Sequence, residues 1–321
     1  MLEKVIFLGT GAGMPTKERN VSSLAVIFNK SGNFWLFDCG EGTQQQLHRA
    51  GLKLSKLKSI FISHLHGDHI FGLPGLLASR GLMGIKKDID IFGPIGLENY
   101  LNKCFEYSKT FIPYNYKIYH IERDKYFKKN ILCKIGVNTI YCALLNHQID
   151  CFGYLIMEEN IKRNIITKEL EKLGINPGPI YSEIKKNSQI TLGDGSVLKT
   201  DVFIKKSRKV KKICYCCDTM FSDNAIVLAR RADLLIHEAT FASNEREKAE
   251  KSFHSTIEDA IKVAKHARAR KLALTHISPR YKRGTKSEEG IDVLKNYLEE
   301  IGMGNSEIEI ILAEDLLEIK I

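Results

Sequence analysis

Phe61-Ile62-Ser63-His64-Leu65-His66-Gly67-Asp68-His69 is the stretch on which the reading of this chain turns. An apolar strand delivers the backbone to His64, and a tight turn then offers four imidazole or carboxylate groups within six residues. Gly67 is read as permitting that turn, because glycine lacks the Cβ that restricts other residues. Imidazole together with carboxylate suits zinc or another first-row divalent ion. His64 and His66, two apart in an irregular loop, can face one ion, while Asp68 and His69 can face a second. A lone histidine is more often a satisfied polar residue than a ligand, but four such groups crowded at one strand end point to a metal site.

Further donors stand at other strand ends. His147 follows the apolar run Tyr141–Leu145, Asp218 follows Lys212–Cys217, and His276 follows Lys271–Leu274. Each is a polar residue just beyond a hydrophobic strand, where the active sites of layered α/β folds lie. Singly each reads as ordinary; beside the cluster they extend it toward a dinuclear set.

Around these motifs, strand-like runs alternate with glycine turns over Lys4–Leu8, Ser23–Phe28, Phe34–Asp38 and Ser59–Ser63, and helical patterns cover Gly42–Ala50 and Asp68–Gly81. Strands dominate from Ile89 to about Glu158. Strands then recur at Lys212–Cys217, Leu234–Glu238, Lys271–His276 and Glu307–Ala313, with helices predicted over Asp223–Arg231, Thr256–Arg270 and Gly290–Ile301. Both element types in both halves imply a layered α/β architecture. Residues 158–201, with Gly174-Ile175-Asn176-Pro177-Gly178-Pro179 near the middle, carry little to bury and read as a protruding arm or long loop. Their charge is balanced, and the basic run Lys205–Lys212 just beyond reads as a solvated hairpin tip.

The chain has 321 residues, 44% of them hydrophobic, and a formal charge of +10, which favours a polyanionic partner, nucleic acid first. The apolar run Val5–Leu8 is short of the ~7–15 residues of a signal-peptide core. The longest apolar stretch, Gly72–Ile85, is broken by Arg80 and falls short of the ~20 residues of a membrane helix. The eight cysteines show no secreted framework, so a reduced cytoplasm is the expected home. Cys214-x-Cys216-Cys217 lies in an apparent strand and is not read as a metal site.

His64-x-His66-x-Asp68-His69 with His147, Asp218 and His276 resembles the metallo-β-lactamase superfamily. That resemblance implies an α/β fold, an αβ/βα sandwich of two mixed β-sheets flanked by helices. The superfamily motifs cover lactamases, thioesterases, phosphodiesterases and nucleases alike. A narrower resemblance, to the ribonuclease Z family, runs over nearly the whole chain. It rests on Gly9-Thr10-Gly11-Ala12-Gly13, Pro15-Thr16-Lys17-Glu18-Arg19-Asn20, Phe37-Asp38-Cys39-Gly40-Glu41-Gly42-Thr43-Gln44 and Gly93-Pro94-Ile95-Gly96-Leu97. The Gly174–Pro179 stretch, His237-Glu238-Ala239-Thr240, His254-Ser255-Thr256 and Leu274-Thr275-His276-Ile277-Ser278-Pro279-Arg280-Tyr281 complete it. Cys217-Asp218-Thr219 departs from the Gly-Asp-Thr usual in bacterial members and leaves the ligand in place.

The family resemblance implies one catalytic domain over 1–321 with an inserted tRNA-binding arm at 158–201. Two zinc ions per subunit are implied, with manganese or another divalent ion able to serve. His64, His66 and His147 would hold one ion, His69, His276 and Asp68 the other, and Asp218 would bridge, with Asp38 behind them. The implied reaction removes the 3′ trailer from precursor tRNA after the discriminator nucleotide, leaving a tRNA 3′-hydroxyl and a trailer 5′-phosphate. Asp68 is the expected general base, His254 the acid for the departing 3′ oxygen, and Glu238 the group that orients it. Lys17, Arg19, Asn20 and Arg280 are expected substrate contacts, as are Gly174, Pro177, Gly178 and Pro179 at the arm tip. A homodimer and no membrane association are also implied. The competing reading is a small-molecule phosphodiesterase of the same fold.

Overall fold

The computed structural model describes residues 1–28, 32–281, 294, 296 and 308–321. The helix expected over 290–301 lies outside the described residues except for Leu294 and Asn296, both helical. The chain divides into two compact units: unit 1, Met1–Met157 with Lys211–Ile321, and unit 2, Glu158–Val210.

In chain order the strands begin with β1 (Leu2–Gly9), β2 (Ser23–Phe28), β3 (Asn33–Phe37), β4 (Leu57–Phe61), β5 (Ile89–Pro94) and β6 (Tyr116–Ile121). Next come β7 (Asn130–Ile135), β8 (Asn138–Leu144), β9 (Phe152–Ile165), and a short pair, β10 (Gln189–Thr191) and β11 (Val197–Lys199). The last are β12 (Ile204–Cys216), β13 (Leu234–Glu238), β14 (Lys271–Thr275), β15 (Glu309–Leu312) and β16 (Glu318–Lys320). One seven-stranded sheet runs β16-β1-β2-β3-β4-β5-β6 and the other β15-β14-β13-β12-β9-β8-β7. The first is antiparallel from β16 to β3 and parallel from β3 to β6; the second is parallel from β12 to β15 and antiparallel between β7 and β8. Both sheets are therefore mixed, as the resemblance implied.

The first sheet is buried on both faces, and its strands alternate between two cores with period two. Phe7, Trp35, Phe37 and Phe61 face a large core shared with Tyr154, Tyr215 and Leu235 of the second sheet. Ile6, Leu8, Leu36, Ile60 and Ile62 face Leu73, Leu76 and Leu77 of the helix Leu73–Leu82. Register is held by an aromatic ladder. Phe37 stacks on Phe61, Phe61 on Phe92 and Phe92 on Tyr119, with centroids 4.7–4.8 Å apart across directly paired residues. That ladder fixes where β4 ends and the His64 loop begins.

Three sequence expectations change. The single helix over Asp68–Gly81 is two helices, Gly67–Ile70 and Leu73–Leu82. Gly67 is not there for a left-handed turn; a Cβ on it would lie 2.2 Å from the Phe71 ring, which occupies that space. The basic run Lys205–Lys212 is not a hairpin tip but part of β12.

Residues 158–201 are likewise more than a loop. Unit 2 has a small core of Leu170, Ile184, Ile190 and Ile204, built by the helices Thr167–Glu171 and Ile180–Lys186, the β10–β11 pair and the first residue of β12. Its boundary at Val210 takes in Lys205, Lys206, Arg208 and Lys209, so eleven basic residues stand against seven carboxylates and the unit is basic, not balanced.

Candidate metal centre

The donors arrive from separate strand ends of unit 1. His64, His66, Asp68 and His69 follow β4, His147 follows β8, Asp218 follows β12 and His276 follows β14. His66 Nδ1 lies 3.0 Å from His64 Nε2 and 3.3 Å from His147 Nε2. Asp218 Oδ2 completes that group at 3.6 Å from His64 Nε2 and 3.8 Å from His147 Nε2. A second group has Asp68 Oδ2 at 3.5 Å from His69 Nε2 and 3.4 Å from His276 Nε2. Asp218 Oδ1 sits 3.3 Å and 3.2 Å from the same two nitrogens. Asp218 thus presents one oxygen to each group, the placement of a bridge.

The orientation of each ring is set from behind. His69 Nδ1–H donates to Asp38 Oδ2 at 2.8 Å, and His147 Nδ1–H donates to the Phe253 carbonyl at 2.8 Å. Ser63 Oγ–H donates to Asp38 Oδ2 at 2.9 Å and accepts from His64 Nδ1–H at 2.9 Å. Thr240 Oγ1–H donates to Glu238 Oε2 at 2.6 Å and accepts from His276 Nδ1–H at 2.9 Å. With Nδ1 carrying the proton, Nε2 of all four rings is a lone pair pointing inward.

Such converging lone pairs repel unless a cation lies among them. His69 Nε2 and Asp218 Oδ1, both buried, make no hydrogen bond among the described residues, which an ion would remedy. Burial also holds His64 well below its ordinary pKa, in the neutral form that ligates metal. The residues present fit divalent metal ions. Asp38 and His276 adopt positive φ, 55° and 57°, uncommon for residues with a side chain.

Asp38 also accepts from the Ser63 N–H at 2.7 Å and the Tyr215 hydroxyl at 2.8 Å, which makes it the anchor behind the cluster. Cys151 Sγ lies 3.3 Å from Cys217 Sγ and 3.6 Å from His64 Nδ1. Burial pushes both thiols up, and His64 Nδ1 already donates to Ser63.

His254 stands beside the cluster, its ring 5.1 Å from His147 and 5.3 Å from His276. Its Nδ1–H donates to Glu238 Oε1 at 2.8 Å. Burial alone would lower the His254 pKa, but the Glu238 carboxylate more than offsets this and raises it to about 9. Glu238 is fully buried and also accepts from the Thr219, Thr240 and Ser255 N–H groups, which hold its carboxylate in place beside His254. Thr256 and Asp259 form a capping box on the helix Ile257–Ala267, fixing the chain two residues after His254. His237 is buried with its Nδ1–H on the Glu238 carbonyl at 2.7 Å and belongs to neither donor group.

The structure divides the expected substrate contacts. Lys17 is exposed and lines a cleft of about 970 Å³ with Met14–Arg19 on one side and Ser278–Tyr281 on the other. Arg280 lines it too, with Nη1 on Glu245 Oε1 at 2.6 Å. Arg19 is turned inward, donating to Thr10 Oγ1 and the Ala313 carbonyl at 2.6 Å each, so its guanidinium anchors the loop. Asn20 Nδ2 donates to the Glu41 carbonyl at 2.8 Å. Gly174, Pro177, Gly178 and Pro179 are exposed in unit 2 between its two helices.

Two family models match parts of the chain: a beta-lactamase superfamily domain over residues 183–277 and the anti-Pycsar protein Apyc1 over residues 3–106. Fold and donor set together define a metallo-β-lactamase-fold enzyme with a His/Asp cluster able to bind metal ions. The chain is 44% identical over 297 residues to a ribonuclease Z of Microcystis aeruginosa, covering 92% of this chain and 90% of that protein. It is 45% identical to a ribonuclease Z of Acaryochloris marina, covering 87% of each. The crystal structure of the short form of human tRNase Z superposes with a TM-score of 0.67 at 30% identity, covering 98% of both chains. The chain belongs to the ribonuclease Z family of endoribonucleases.

Proposed function

We propose that this enzyme holds two zinc ions and cleaves the 3′ trailer from precursor tRNA after the discriminator nucleotide. The products are a tRNA 3′-hydroxyl and a trailer 5′-phosphate. The observation that carries this reading is the placement of Asp218 between two donor groups, at 3.2–3.8 Å from four imidazole nitrogens, in a chain so similar to ribonucleases Z. Bound there, such ions lower the pKa of a water toward ~7 and stabilise charge on phosphoryl oxygens.

The chain's own residues supply the proton handling. Asp68 accepts the water's proton at its carboxylate. His254, charged at neutral pH beside Glu238, holds a proton for the departing 3′ oxygen. Lys17 and Arg280 in the cleft meet phosphates near the 3′ end. Unit 2 grips the body of the tRNA through its backbone and shape, in keeping with its basic charge and the exposed Gly174–Pro179 loop. Function as a homodimer, with one subunit's arm serving its partner's site, and a cytoplasmic location belong to the same proposal. No described helix is long and apolar enough to cross a membrane.

The test is cleavage of a 3′-extended precursor tRNA by wild type and Asp68→Ala, mapped to the nucleotide, with bound metal measured in both. A cut just after the discriminator, lost in the variant, is the expected result. A metal-replete wild type that leaves the precursor intact but hydrolyses bis(p-nitrophenyl) phosphate would move the substrate to a small phosphodiester.

A further inference from the structure

Asp315 lies outside the motifs quoted above, in the turn between β15 and β16, 39 residues beyond His276. Its carboxylate nevertheless accepts four hydrogen bonds from the other end of the chain. Oδ1 accepts from Thr10 N–H at 3.0 Å and Thr10 Oγ1–H at 2.7 Å. Oδ2 accepts from Asn20 N–H and from Gln46 Nε2, each at 2.7 Å. Thr10 and Asn20 are the two feet of one loop, so a single carboxylate closes it, and Gln46 ties it to the helix Thr43–Arg49. Arg19 reinforces the closure by donating to Thr10 Oγ1 and to the Ala313 carbonyl, two residues before Asp315.

What the loop carries makes the clamp functional. Gly13 N–H donates to Asp68 Oδ2 at 2.8 Å, so the loop touches the oxygen that faces His69 and His276. Ala12 N–H donates to the Ile277 carbonyl at 3.0 Å, next to the ligand His276. Lys17 projects from the far part of the same loop into the cleft. We propose that Asp315 is a positioning residue that closes the Thr10–Asn20 loop and thereby sets the distance between Lys17, at the substrate, and the ligand cluster. The proposal rests on the reading of Lys17 as a contact to the precursor's 3′ end.

Asparagine at 315 is the informative replacement. It keeps the shape but offers one acceptor and one donor where four donors converge, so one foot of the loop meets N–H against N–H. Misplacement of this kind acts through geometry, and small displacements of positioning elements carry large kinetic penalties.

The experiment measures kcat and KM for precursor tRNA with Asp315→Asn, Lys17→Ala and the double variant, with metal content determined on the same preparations. The expected result is a KM raised roughly tenfold in Asp315→Asn with full metal content. The double variant should be no worse than the worse single, because Lys17 has nothing to lose once misplaced. Thr10→Val, which removes one of the four donors, should raise KM in the same direction by less and serves if Asp315→Asn does not fold. An unchanged KM in either foldable variant overturns the role. So do single-variant effects that multiply in the double, or a metal loss that accounts for the whole deficit. These outcomes presuppose that wild type cuts the precursor; a wild type that leaves it uncut overturns the substrate reading instead.

Discussion

The ligand end of unit 1 and the whole of unit 2 are built in opposite ways. At the ligand end, imidazoles from three strand ends are locked by hydrogen bonds to Asp38, Ser63, Thr240 and the Phe253 carbonyl, and most of these groups are buried. Unit 2 has four buried apolar side chains at its centre and a surface on which Lys205, Lys206, Arg208 and Lys209 are all exposed. On the proposed reading, the first arrangement preorganises donors for a reaction, and the second presents charge and shape to a large partner. Damage to the first should therefore appear on any phosphodiester, and damage to the second only on a large one.

The comparison breaks most visibly at Asp218. Asp218→Ala removes an oxygen from both donor groups, and cleavage of precursor tRNA and of bis(p-nitrophenyl) phosphate should fall together, on the order of 10³-fold or more. A variant that lost only tRNA cleavage would show that Asp218 belongs to recognition.

Next in size is His254→Ala, expected to slow precursor cleavage by ~10²–10⁴-fold while costing far less on bis(p-nitrophenyl) phosphate, whose nitrophenolate leaves without a proton. Equal losses on the two substrates would remove His254 from the acid's role. Deleting residues 170–190 should depress precursor cleavage by about 10²-fold and spare the small ester. If both activities survive the deletion, unit 2 is not a recognition element.

The smallest effect is expected inside unit 2. Ile184→Ala opens its core, with a cost of about 2–5 kcal/mol to that unit, and should raise KM for the precursor several-fold with kcat on the small ester unchanged. A change in the small-ester kcat would mean that the two regions are coupled more tightly than their construction implies.

Much of the site was legible before any coordinates. His64, His66, Asp68 and His69 are neighbours in sequence, and His147, Asp218 and His276 each betray themselves as a polar residue just past an apolar strand. Ser63 and Tyr215 carried no signal of their own, because each matters only through Asp38, which another strand delivers. Arg19 was expected at the substrate; its inward hydrogen bond could not be read, because the partner carbonyl, Ala313, is nearly three hundred residues away. The basic run was misplaced for a similar reason: hydropathy marks Lys205–Lys212 as solvated, but not as part of a strand that begins in a second unit.

The sequence by itself determined the donor types, their attachment to strand ends and the alternation that buries both faces of the first sheet, since each depends on residues within a few positions of one another. Only the tertiary structure decided which nitrogen of each histidine turns inward, that Asp218 stands between two donor groups, and that Asp315 closes a loop three hundred residues away. Those are relations among atoms on separate strands, and their energies exist only once the strands are packed together.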